Sequence, residues 1–311
     1  MYIGLDIGGT KCAVLQGDDR GQILQKIKFP TTTCHETLER ILDAVASLGA
    51  CRAIGISCGG PLDEEAGLIL SPPNLPGWDQ IPITAMLRER FGVPVYLCND
   101  ANACALAEWK FGAGQGTKNM VFLTFGTGLG AGLILDGKLY RGTNGNAGEV
   151  GHIRLAPKGP VGYGKAGSFE GFCSGGGIKQ IGQALARQAL AANTPPAFCP
   201  TRDDIAAIDA RLLAEAADAG DPLAREAYTL SAKHLGMGLS ILIDILNPEA
   251  IVIGSVFTRS RHLFEEELMR VIRQEALAPS AAVCRILPAA LGDSIGDYAA
   301  LAVAMGEDRY E

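Results

Sequence analysis

Short apolar runs punctuate the first part of the chain. Tyr2–Leu5, Cys12–Gln16, Ala53–Ser57 and Pro94–Leu97 each have the length and composition of a buried strand. Between them, Leu38, Ile41, Leu42, Val45 and Leu48 recur at the spacing that lines one face of a helix. Strands alternating with a helical pattern predict an α/β domain over residues 1–117. The pattern then restarts. Met120–Thr124 and Gly132–Leu135 read as strands, a long helix opens at Pro222 and stops near Asn247-Pro248, and strands return at Ile251–Ile253 and Arg285–Leu287. These predict a second α/β domain over 118–293. The alanine-rich stretch Ser294–Met305 is apolar at helical spacing, so a C-terminal helix, 294–311, is expected to complete the first domain. Two segments lack periodicity. Asn193–Thr201 carries three prolines and reads as a surface connection, whereas Pro157–Gly177 is a glycine-rich loop long enough to be expected to bind something.

Chemistry starts where the apolar runs break off. Asp6-Ile-Gly-Gly-Thr-Lys11 and Phe125-Gly-Thr-Gly-Leu-Gly-Ala-Gly132 each lie between two apolar runs, so each reads as strand, tight turn, strand. Glycine lets the backbone N–H groups of such a turn approach a bound anion, and the threonine hydroxyl adds a donor. Two loops of this kind, facing each other, can grip one polyphosphate. The spacing Gly126-x-Gly128-x-x-Ala131 also matches a dinucleotide fingerprint, but that turn must open into a helix. Here Gly132–Leu139 continues as strand, Asp-Gly turn and strand. No G-x-x-x-x-G-K-[ST] string occurs, so a Walker-type loop is absent.

Composition narrows the partner. The 311 residues, 48% hydrophobic, suffice for two domains with buried cores. A net charge of −7 without a lysine or arginine cluster argues against nucleic acid and favours a small molecule. Apolar stretches fall short of the roughly 18–20 residues that cross a bilayer, and the N-terminus opens on a strand pattern rather than a leader. No membrane or secretory route is expected. The nine cysteines are odd in number, scattered and without a C-x-x-C pair, and read as buried free thiols of a cytoplasmic protein.

Four motifs in order, Asp6-Ile-Gly-Gly-Thr-Lys11, Asn99-Asp-Ala-Asn102, Phe125-Gly-Thr-Gly-Leu-Gly130 and Gly148-Glu-Val-Gly-His152, resemble those of the ROK family of bacterial sugar kinases and repressors. The resemblance spans essentially the whole chain. It implies two actin-like ATPase (ribonuclease H-like) domains flanking a nucleotide and sugar cleft, a cytoplasmic kinase using ATP and Mg²⁺, and a homodimer. The activity it implies is phosphorylation of a hexose or N-acetylhexosamine on the 6-hydroxyl, with glucokinase as the leading case.

Phosphoryl transfer asks for positioned phosphates, a Mg²⁺ ion and an acceptor for the hydroxyl proton. Asp100, at the exit of a strand, is the candidate acceptor, with a simple helix N-cap as the lesser alternative on local sequence. By resemblance, Asp6 holds hydrated Mg²⁺ while Gly8, Gly9, Thr10 and Lys11 surround phosphate oxygens. Gly126, Thr127 and Gly128 take the phosphates from the other side, and Gly175, Gly176, Gly254 and Ser255 meet the nucleoside. Ser255 stands where the family often has a second glycine. The sugar falls to Asn99, Asp100, Glu149, His152 and Glu170, with Gly60 and Asn74 as further candidates. Locally, Lys11 also reads as a solvated lysine, His152 as a core histidine and Glu170 as a surface carboxylate.

One departure stands out. Many ROK proteins follow the histidine with C-x-C-G-x-x-G-C-x-E and bind zinc there, whereas this chain has Val161, Tyr163 and Ser168 in place of the three cysteines. None supplies a thiolate, so no structural zinc is expected. His152 is then expected to be oriented by hydrogen bonds or packing, with Tyr163 as a candidate. The rival function is that of the family's repressors, which carry a DNA-binding segment ahead of the first glycine loop. That loop begins here at residue 6, so the rival becomes a non-catalytic sugar sensor without its own DNA-binding domain.

Overall fold

The structure, a computed structural model, describes residues 1–306; the end of the predicted segment 294–311 lies outside the described residues. The chain opens with β1 (Tyr2–Ile7), β2 (Lys11–Gly17) and β3 (Ile23–Pro30), then α1 (Cys34–Leu48) and β4 (Ile54–Cys58). A short hairpin, β5 (Leu62–Asp63) and β6 (Leu68–Ile69), precedes α2 (Ile83–Phe91), β7 (Val95–Asn99) and α3 (Asp100–Phe111). Next come β8 (Met120–Leu123), β9 (Ala131–Leu135) and β10 (Lys138–Tyr140), and a second short hairpin, β11 (Val161–Gly162) and β12 (Lys165–Ala166). The helices α4 (Phe169–Phe172), α5 (Gly175–Ala191), α6 (Ala210–Asp218) and α7 (Pro222–Leu246) lead to β13 (Ala250–Ile253). Then α8 (Val256–Glu275), α9 (Ala278–Val283), β14 (Arg285–Pro288) and α10 (Ile295–Met305) finish the described chain.

The strands make two five-stranded sheets of the same topology, β3-β2-β1-β4-β7 and β10-β9-β8-β13-β14. In each, the third, second and first strands lie side by side, and the fourth and fifth join beyond the first. The duplication read from the two glycine turns is therefore a duplication of topology. Two compact units emerge: residues 1–122, 132–147 and the described residues from Ala290 onward form one, and residues 123–131 and 148–289 the other.

In the first unit β1 runs antiparallel to β2 and parallel to β4, which in turn runs parallel to β7. One face of this sheet buries Leu5, Val14 and Ile56 together with Leu38, Ile41, Val45 and Leu48 of α1, the stripe that the helical spacing predicts. The alanine-rich α10 covers β1 and β4. It lies almost on the strand backbone: a Cβ on Gly4 would stand 2.9 Å from the Ala300 Cβ, and one on Gly55 would overlap the Ala304 N–H.

In the second unit the long helix α7 follows its sequence signals closely. The Asp221 side chain accepts hydrogen bonds from the Leu223 and Ala224 N–H groups, Pro222 opens the helix, and Asn247 closes it in the left-handed region (φ 44°). By length and composition α7 could cross a bilayer, a test that the apolar runs alone did not suggest. With Tyr228, Leu235, Leu239 and Ile243 fully enclosed, it is a core helix.

Sequence patterning missed β3, α2, α5, α6 and α8. It also read Pro157–Gly177 as one loop, which the structure corrects. That segment holds β11, β12 and α4, and Gly175 opens α5 behind an N-capping Ser174 whose hydroxyl accepts the Gly177 N–H at 2.9 Å. At two to four residues, β11, β12 and α4 are too short to display a period. All nine cysteines are free. Burial pushes the Cys12, Cys58, Cys104 and Cys173 thiols above the ordinary range, so these act as small packing groups.

Candidate active site

In the first unit, parallel register gathers the site. Ile7 pairs with Cys58 and Cys58 with Asn99, so the last residues of β1, β4 and β7 are level, and whatever follows them leaves the same edge of the sheet. That edge is where open α/β sheets bind ligands. From β1 comes the turn Gly8–Thr10, closed by Gly8 N–H on the Lys11 carbonyl at 3.2 Å and pinned by the Thr31 hydroxyl on the Gly8 carbonyl at 2.6 Å. From β4 comes Gly59-Gly60, where an added Cβ would stand 3.8 Å from Asp100 Oδ2 and the Asn74 amide, and 3.5 Å from the Asn99 amide, respectively. The Asn74 backbone also crowds Gly9 so closely that a side chain there would collide with it. Asn74, Gly60, Gly9, Asn99 and Asp100 thus form one cluster.

The junction from β7 into α3 answers the N-cap question. Asn99, in extended backbone, caps α3 by accepting the Ala101 N–H at 3.0 Å, and Asp100 is the first helical residue. One oxygen of Asp100 accepts the same N–H at 2.8 Å, while the side chain remains exposed at the sheet edge. Asp100 is therefore not the residue that caps the helix. Asp6, inside the end of β1, is half-buried. Burial above all, and then the negative charges of Asp297 and Asp100, hold its carboxyl above its ordinary range, against the opposing pull of Lys26 and Lys11. Sequence reasoning missed Asp297. It lies in the first turn of α10, buried and paired with Lys26 of β3, and the preceding Gly296 lies against the Asp6 carboxylate. Lys11 is exposed on its turn, consistent with either of its readings.

The second unit assembles its own set. The turn Thr124–Gly130 closes on itself through Gly126 N–H to the Gly128 carbonyl at 3.0 Å and Gly130 N–H to the Thr124 hydroxyl at 2.9 Å. Thr127 is exposed at its tip. Beyond β13, Gly254 donates to Leu123 and Val256 to Phe125, at 2.9 and 3.0 Å. This brings Ser255, in the left-handed region at φ 52°, alongside Gly126. Gly175, at the start of α5, donates to the Gly126 carbonyl at 2.7 Å, and Gly176 packs on the Thr127 carbonyl. Gly126, Thr127, Gly128, Gly175, Gly176, Gly254 and Ser255 are thus one backbone-lined surface, with the N-terminus of a helix of 17 residues set into it.

Glu170 is tied to the same turn, its Oε2 accepting the Leu129 N–H at 3.0 Å and crowding Gly128. It is a half-buried, hydrogen-bonded carboxylate rather than a free surface one. Gly151 packs against Leu129 and the Glu170 Cβ, which places the 3₁₀ turn Val150–His152 next to both. Glu149 and His152 are exposed on that turn, so His152 is not a core histidine.

A family model matches residues 2–307, described as the ROK family. The chain belongs to the ROK family. It is 34% identical over 314 residues to a glucokinase of Streptomyces coelicolor, covering 95% of both chains. Its fold matches the crystal structure of a ROK family glucokinase from Streptomyces griseus in complex with glucose and AMPPNP, with a TM-score of 0.78, 33% identity and coverage of 98% and 99%. It also matches a ROK family transcriptional regulator, a homolog of the Escherichia coli MLC protein, with a TM-score of 0.86 and 25% identity, covering 98% of this chain and 77% of that one. The fold is the actin-like ATPase fold of the ROK glucokinases.

The loop after His152 carries Val161, Tyr163 and Ser168. Among the described residues no three His, Cys, Asp or Glu side chains group as metal ligands. Hydrogen bonds and a ring contact hold this loop. Lys165 Nζ donates to the His152 carbonyl at 2.6 Å, and the Gln180 amide of α5 makes two 2.9 Å hydrogen bonds to the backbone of Val161. The Tyr163 ring stands edge-on to the His152 imidazole at 5.1 Å and 86°. Tyr163 holds a left-handed backbone (φ 43°) in the β11–β12 turn and is 79% exposed, a conformation and exposure that an aromatic residue adopts at a cost.

Proposed function

We propose that the chain is an ATP-dependent kinase that phosphorylates a hexose or N-acetylhexosamine on its 6-hydroxyl. The observation that carries this reading is the level exit of β1, β4 and β7, which sets an exposed Asp100 among Asn74, Gly59-Gly60 and Asn99 beside the Gly8–Thr10 turn. A carboxylate at the start of a helix, flanked by amides that hydrogen-bond hydroxyls, suits a group that orients a sugar oxygen and takes its proton. In the proposed step the sugar oxygen attacks the γ-phosphorus, the bond from that phosphorus to the bridging oxygen breaks, ADP leaves and the hydroxyl proton passes to the Asp100 carboxylate. Asn99, Glu149, His152 and Glu170 hold the sugar hydroxyls, with Asn74 and the Gly60 loop as further contacts. Gly8, Gly9, Thr10, Lys11, Gly126, Thr127 and Gly128 bind the phosphates, and Gly175, Gly176, Gly254 and Ser255 the nucleoside.

The residues around Asp6 suit Mg²⁺. A half-buried carboxylate whose neighbours Asp297 and Asp100 add negative charge favours a hard cation, and Asp6 would hold it through water. When bound, the ion neutralises charge on the phosphates. Structural zinc has no place in this reading, since Tyr163, Lys165 and Gln180 do the holding. A coupled ADP-release assay across hexoses and N-acetylhexosamines tests the proposal, with turnover of at least one sugar expected. The likeness to the transcriptional regulator supports a second reading, a sugar sensor without catalysis, under which sugars bind with no ADP released.

A further inference from the structure

Glu64 lies in the turn of the β5–β6 hairpin and divides its carboxylate between two partners. Oε1 accepts the Asn99 N–H at 2.7 Å, and Oε2 accepts Nε–H of Arg141, just beyond β10, at 2.6 Å. Both side chains are largely enclosed, with 13% and 25% exposure for Glu64 and Arg141. Arg141 is itself the start of a closed turn, its carbonyl accepting the Ala147 N–H at 3.0 Å.

Partial desolvation offsets much of what a half-buried ion pair gains, so stability alone is a poor reason for this one. Geometry supplies a better reason. The helical side of the β7–α3 junction is already secured, because Asn99 and Asp100 side chains both accept the Ala101 N–H. The strand side is secured by Glu64, which takes the N–H of the residue immediately before Asp100. We propose that Glu64 and Arg141 are positioning residues for the Asn99–Asp100 turn. The carboxylate fixes the backbone that presents Asp100, and the guanidinium, a rigid planar donor, fixes the carboxylate. This role rests on the kinase reading. Neither residue touches the sugar in it, so their loss affects the reacting geometry more than the binding of either substrate.

Misplacing a reacting group by about 1 Å costs roughly 10²-fold in rate. Glu64→Ala is expected to lower kcat about 100-fold while the KM values for sugar and ATP move by less than about threefold. Arg141→Lys keeps the charge but loses the planar Nε donor, and about a tenfold fall in kcat is expected, again with little change in KM. Should Glu64→Ala fail to fold, Glu64→Gln and Arg141→Lys carry the same test. Hydrogen exchange at the Asn99 amide gives a readout independent of turnover: slow in the wild type and accelerated in Glu64→Ala, which leaves that N–H without its side-chain acceptor. Wild-type kcat in the folded variants, or a rise in KM that accounts for all the lost efficiency, overturns the proposal. If the wild type phosphorylates no sugar, the kinase reading fails, and unaltered exchange at Asn99 then overturns the positioning role separately.

Discussion

Asp100 carries the sharpest expectation at the residue scale. Asp100→Asn keeps the shape and the hydrogen bond to the Ala101 N–H but cannot take a proton. Turnover is expected to fall by about 10²–10⁴-fold, the usual worth of a general base, while calorimetry shows sugar binding retained. Asp6 makes a prediction about pH. Burial and the charges of Asp297 and Asp100 raise its folded-state pKa, so the folded protein holds this proton to higher pH than the unfolded chain does. Its contribution to stability therefore falls as pH rises from the ordinary carboxylate range through the raised value, and above that it stays a cost. Without Mg²⁺, Asp6→Asn should resist urea better than wild type at pH 7, the advantage disappearing near pH 4, while turnover is lost. Tyr163 makes a third prediction. Glycine relieves its left-handed backbone, so Tyr163→Gly should not lower the melting temperature. Removing the ring from the edge of His152 should nevertheless raise the sugar KM, and an unchanged KM would show that the ring does not orient the imidazole.

At the scale of elements, α10 shows how composition permits packing. Its alanines and the strand glycines Gly4 and Gly55 allow a helix to lie almost on the sheet backbone. Gly55→Ala drives a methyl group into the Ala304 backbone, and overpacking of this kind typically costs about 1–3 kcal/mol, read as a lower urea midpoint. How far elements were legible depended on their length and periodicity. The α1 stripe and the caps of α7 are local signals, and both stand in the structure as read. The edge strand β3, with its alternating exposure, and the hairpin β11–β12 offer too weak or too short a pattern. Glu64 and Arg141 left no signal either, because their pairing joins residues 77 apart in sequence through a two-residue strand and a loop.

For the whole molecule, the zinc expectation is the most direct to check. Elemental analysis of purified protein is expected to find no stoichiometric zinc, and a zinc chelator should leave activity intact; one tightly held zinc per chain would overturn this. A homodimer is also proposed, giving twice the 32.6 kDa chain mass by sedimentation. The sequence by itself determined the duplicated α/β plan, the two glycine turns and the order of the motifs, because each is written in contiguous residues whose spacing has a direct geometric meaning. Tertiary structure alone decided that Asn99 rather than Asp100 caps α3, that Asp297 and Lys26 stand behind Asp6, and that Glu64 reaches the backbone of Asn99. These depend on strand register and helix docking, which bring distant residues within hydrogen-bond range and leave no trace in local spacing.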